Sequence, residues 1–123
     1  MTAIALPKMT VAQLVERFTA LALAQNHALF EDEIAKFNQL FDQMSAVTEE
    51  LKSRPGDQRL ALLDLFNHVN IHVRLKAAKA TMAVSPARAR KTLEEIAASK
   101  EYPQAGDAGM SLINLDRGIW EPS

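Results

Sequence analysis

From Val11 to Leu115 the apolar residues return every three or four positions. No stretch shows the alternating β-branched pattern of a strand. That spacing puts one apolar stripe on each helix, so the chain must bury helix against helix. Composition agrees: glycine occurs only four times, aromatic residues are 6% of the chain, and Ala, Leu, Glu, Lys and Gln are plentiful. The fold class expected is all-α.

Breaks in the pattern divide the chain into about six helices. Thr10 followed by Gln13 is a capping-box pair, and Val11, Leu14, Val15, Phe18, Leu21 and Ala22 carry a first helix to a turn at Asn26–His27. A second helix begins at Phe30 with Glu31, Asp32 and Glu33 in its first turn, and it stops at Arg54-Pro55-Gly56. Asp57 is placed to cap a short third helix holding Leu60, Leu62, Leu63, Leu65 and Phe66, ended by a turn at 67–70. The fourth carries Val73, Ala77, Ala80 and Val84. Ser85-Pro86 then reads as cap and first residue of a fifth, with Ala89, Leu93, Ile96 and Ala97 inward. Tyr102-Pro103 interrupts again, and a sixth helix with Met110, Leu112, Ile113 and Leu115 runs to about Arg117, closed by Gly118. Short connections predict three antiparallel hairpins in a single domain over 1–123, with 1–9 as a loose N-terminal arm.

A shift of 31 residues superimposes Pro55 on Pro86, Arg59 on Arg90, Leu62 on Leu93, Ala77 on Ala108 and Met82 on Ile113. Such a period suggests stacked hairpins. Residues 67–82 hold a polar turn, Val73-Arg74, Ala77-Ala78 and the large apolar Met82, and this order resembles the second half of a HEAT repeat. Ala77 and Ala78 are expected to let helices approach closely, and Arg74 to reach backbone carbonyls or carboxylates of an adjacent hairpin. Nearly the whole chain, including the segment from Gly106 to Ile119, is similar to a small bacterial family described as a domain of unknown function with an armadillo-like helical fold. The resemblance implies an α-α superhelix and no particular activity.

The charge pattern narrows function. A net charge of −1 and a pI near 6.3 argue against a general coat for nucleic acid or membrane. Cysteine is absent, which removes disulfides, thiolate metal sites and cysteine nucleophiles. No stretch approaches the roughly 20 apolar residues of a membrane span, and the expected location is the cytoplasm. Asp64, His68 and His72 stand four apart, but the turn at 67–70 separates them, so no metal is expected. Phosphate loops, nucleophile elbows and His-Glu-x-x-His are absent as well, so neither cofactor nor enzyme activity is expected.

From Asn67 through Leu93 there is no acidic residue, while Arg74, Lys76, Lys79, Arg88, Arg90 and Lys91 all fall there. Helical spacing puts His72, Lys76 and Lys79 on one face, with Arg88 early in the next helix. These four are the candidate partner-binding residues; Arg74, Ala77 and Ala78 are expected to be structural. The bland alternative pairs Arg88 with Asp57 across the 31-residue offset. Trp120 either folds back to cap the last hairpin or anchors a partner. The leading reading is a protein–protein interaction scaffold, with a homo-oligomer open. The second is binding of an anion or nucleic acid through the basic face of the fourth and fifth helices, although base-stacking aromatic residues are missing there. A cryptic enzyme is third.

Overall fold

The computed structural model describes residues 4–123. The chain is helical, as the periodicity requires, with five α-helices and two 3-10 segments among the described residues. They group into two compact units, Met1–Ala61 and Leu62–Ser123.

In the first unit, helix α1 (Val11–Phe30) starts on the predicted capping box. Thr10 Oγ1 accepts from the Gln13 N–H at 3.1 Å, and Gln13 Oε1 accepts from the Thr10 N–H at 2.8 Å. The helix passes through the expected turn at Asn26–His27. Neither residue blocks the ladder, and the Glu31 N–H still donates to the His27 carbonyl at 3.1 Å. The chain reverses instead at Glu31–Glu33, where Asp32 takes a φ of 54°. The three acidic residues therefore lie in the turn rather than in the first turn of α2 (Ile34–Ser53). Leu14, Phe18, Leu21 and Ala22 of α1 and Leu40, Met44, Val47 and Leu51 of α2 are buried where the two helices pack as a hairpin.

The N-terminal arm is not loose over its described part. Leu6–Lys8 forms a short 3-10 turn. Arg54 fastens it by donating from Nη2 to the Leu6 carbonyl at 3.0 Å, while its Nε donates to Glu50 at 2.9 Å. Residues 1–3 of the expected arm lie outside the described residues.

The expected third helix is helical but of the tighter 3-10 kind, Gln58–Asn67. Asp57, at a φ of 53°, does not act as a conventional helix cap. Its carboxylate instead accepts from the Arg59 guanidinium at 2.7 and 2.9 Å and from the Arg59 N–H at 3.3 Å. This segment and α4 (Pro86–Ala98), matched by the 31-residue offset, consequently differ in rotation per residue. The offset is a likeness of sequence that the backbone does not repeat there.

In the second unit α3 (Ile71–Thr81) packs on α4, and α4 on α5 (Gln104–Asp116), with a smaller contact between α3 and α5. Asn70 caps α3 by accepting from the N–H groups of His72 and Val73 at 2.9 and 3.1 Å. Val84 falls beyond the end of α3. Pro86 opens α4 as expected, although the Ser85 side chain makes no cap bond. The core joins Leu75, Ala78, Met82, Ala89, Leu93, Ile96 and Ala108. Gly118, at a φ of 71°, turns the chain after α5, and Trp120 folds back onto that core.

Candidate functional site

Asn70 sets the start of α3, and from there the four- and three-residue spacing of His72, Lys76 and Lys79 puts them on one side of the helix. Gln104, Asp107 and Ser111 have the same kind of spacing on α5. The structure joins the two rows. Gln104 Nε2 lies 3.2 Å from His72 Nδ1, Lys79 Nζ donates to Asp107 Oδ1 at 2.9 Å, and Ser111 Oγ donates to the same oxygen at 3.1 Å. An amide N–H can only donate, so the Gln104 contact needs Nδ1 of His72 unprotonated.

Burial governs the electrostatics. His72 is 3% exposed and Lys76 9%. Desolvation, with the charges of Lys76 and Lys79 adding to it against Asp107, pushes the His72 pKa down to about 4. Lys76 is lowered to about 8 by desolvation and then by Lys79, again against Asp107. For Asp107 burial acts upward, but the Lys79 hydrogen bond, both lysine charges and the Ser111 hydroxyl hold it below the usual carboxylate range. The cluster is an internal clamp between α3 and α5, with a neutral imidazole and a charged amine held out of water.

A different surface opens at the end of the α1–α2 hairpin. Phe30 is 82% exposed and Ile34 69%, with Leu29 and Phe41 also on the outside. Ile34, Phe37 and Phe41 flank the buried stripe of α2, so that apolar stripe is wider than α1 covers. Ala28, Leu29, Asp32, Glu33, Ile34 and Phe37 line a small recess of about 100 Å³ there. Glu31, Asp32 and Glu33 give its rim negative charge.

Residues 12–116 match the family described as Domain of unknown function (DUF2019). The chain belongs to this family. The crystal structure of the protein RPA1889 from Rhodopseudomonas palustris CGA009 is similar throughout, with 49% sequence identity, a TM-score of 0.94, and coverage of 98% of this chain and 100% of that one. Comparison with curated proteins gives no match. The HEAT and armadillo part of the sequence resemblance finds no support in these likenesses.

In this DUF2019 chain the residues singled out from sequence are distributed differently from expectation. His72, Lys76 and Lys79 do share a side, but two are buried and the third is paired, so they form no open basic face. Arg88 stands apart on α4, its guanidinium carbon 5.9 Å from the centre of the Phe66 ring. Asp57 is engaged by Arg59, at 2.7 Å. Arg74 is structural in a more local way than expected, since Nη1 donates to the carbonyls of His68 and Val69 in the turn before its own helix, at 2.7 and 3.1 Å. Ala77 and Ala78 are fully buried. Sequence reasoning missed Gln104, Asp107 and Ser111; their three- and four-residue spacing along α5 was the available signal. Among the described residues, no group of three His, Asp or Glu side chains is placed to hold a metal ion, and no helix is long and apolar enough to cross a membrane.

Proposed function

We propose that this DUF2019 protein is a cytoplasmic, non-catalytic protein-interaction module that works through the end of its α1–α2 hairpin. The observation that carries the reading is the exposure of Phe30 and Ile34 beside an apolar recess with an acidic rim. Large apolar side chains gathered at one exposed place are informative in a way that scattered ones are not. The partner that fits is a protein surface offering an apolar anchor flanked by lysine or arginine. Burial of His72 and Lys76 and the pairing of Lys79 take support away from the anion or nucleic-acid reading.

The test compares the unmodified protein with Phe30→Ser/Ile34→Ser. Sedimentation velocity first measures self-association, and affinity capture from the native cell then identifies bound proteins. The double variant should melt like the parent, because both side chains are exposed, and should lose the captured partner or the self-associated form. A partner retained undiminished by the folded double variant would refute this surface.

A further inference from the structure

A second cavity, about 260 Å³, lies wholly within the second unit and is lined by Phe66, Asn67, His68, Arg74, Thr92, Glu95, Ile96 and Ser99. Three of its polar groups are incompletely used by the fold. Arg74 employs only Nη1 in its turn-holding bonds, which leaves Nε and Nη2 without a partner among the described residues. His68 accepts the Asn70 N–H on Nδ1 at 3.0 Å, so the ring N–H lies on Nε2, which also has no partner there. Thr92 is the third. Thr19, Thr48 and Thr81 each donate to the carbonyl four residues back, at 2.8, 3.0 and 2.8 Å. Thr92, only 8% exposed, makes no such bond. The Thr92 hydroxyl opens onto the cavity beside a guanidinium with two spare donors, and together they can meet something that accepts hydrogen bonds.

We infer that this cavity binds a small zwitterion of the α-amino-acid class. Arg74, supported by His68 and Thr92, takes the carboxylate; Glu95, exposed at the opening, takes the ammonium; Phe66 and Ile96 receive an apolar side chain. At about 260 Å³ the cavity lies at the small end of ligand sites, which start at about 300 Å³, and it suits a metabolite. Glu95 also tells against a phosphate or dicarboxylate, whose second negative charge it would oppose. Arg74 has no acidic partner among the described residues, unlike Arg54, Arg59 and Arg90.

Nuclear magnetic resonance titration of the full chain tests this. The probes are L-leucine and L-phenylalanine, together with 4-methylpentanoate and 3-phenylpropionate, which lack the amino group. Saturable shifts centred on residues 66–68, 74 and 92–99 are expected with the amino acids, and affinity about tenfold lower for the deaminated acids. Arg74→Lys, which keeps the charge but loses the planar fork, should weaken amino-acid binding about tenfold or more. If Arg74→Lys unfolds, Glu95→Gln carries the decision, since an exposed side chain is changed: amino acids and deaminated acids should then bind alike. No saturable shift with any probe up to about 10 mM overturns the inference. So does binding of the amino acids that Glu95→Gln leaves as selective as before.

Discussion

Acid should loosen this protein through one buried ring. The folded chain holds the His72 pKa at about 4, against 6.5 for a free imidazole. Between those values an unfolded chain binds a proton at His72 and the folded chain does not, so stability rises with pH across the window and is lost on acidification. At about 1.4 kcal/mol per pKa unit the complete effect is about 3 kcal/mol, of which about 2 kcal/mol falls between neutral pH and about pH 4.5. As oriented, the Gln104 amide donates to an unprotonated Nδ1, which fits a neutral ring. Among the charges around the ring, Lys76 is lowered only to about 8 and Asp107 is held below the usual carboxylate range, so both keep their charges across the window. Urea unfolding followed by circular dichroism at neutral pH and near pH 4.5, on the parent and on His72→Gln, isolates the effect from every other titrating group. The parent should lose about 2 kcal/mol more than the variant on acidification. Parallel losses would show that the imidazole is not held neutral by the fold, and the clamp between α3 and α5 would have to be redrawn.

Lys76→Met should raise stability at neutral pH by about 1–3 kcal/mol, because it removes a buried charge. The same change should abolish a rise in stability between pH 8 and 10.5, the window in which the unfolded parent still holds the Lys76 proton and the folded one has released it; urea melts across that range decide it. Ala78→Leu, at a fully buried position in the α3–α4–α5 core, should cost about 1–3 kcal/mol by overpacking, and a neutral result in urea melts would mean that the core has room there. Thr10→Ala removes half of the α1 capping box and should lower stability by about 1 kcal/mol, measured by thermal melting with circular dichroism.

What could be read from the chain alone were features settled within one or two turns of backbone. Helical class follows from the apolar spacing, and the start of α1 from Thr10 and Gln13. Pro86 marks the opening of α4 and Gly118 its counterpart after α5, because these residues act on their immediate neighbours. The same local rules placed His72, Lys76 and Lys79 on a common side. They could not say what that side meets. Lys79 finds Asp107 28 positions away, and His72 finds Gln104 32 positions away, only because α5 comes against α3. That packing turned an expected basic surface into a buried network. Local reading also erred where the same residues allow two arrangements. The Asn26–His27 step had no glycine or proline to stop α1, and Asp57 satisfied Arg59 instead of starting an α-helix. The cavity beside Arg74 joins residues of the 3-10 segment, its following loop, α3 and α4. Its unused donors become evident only when every tertiary hydrogen bond is known. Spacing along a helix determines direction; distance between helices determines partners.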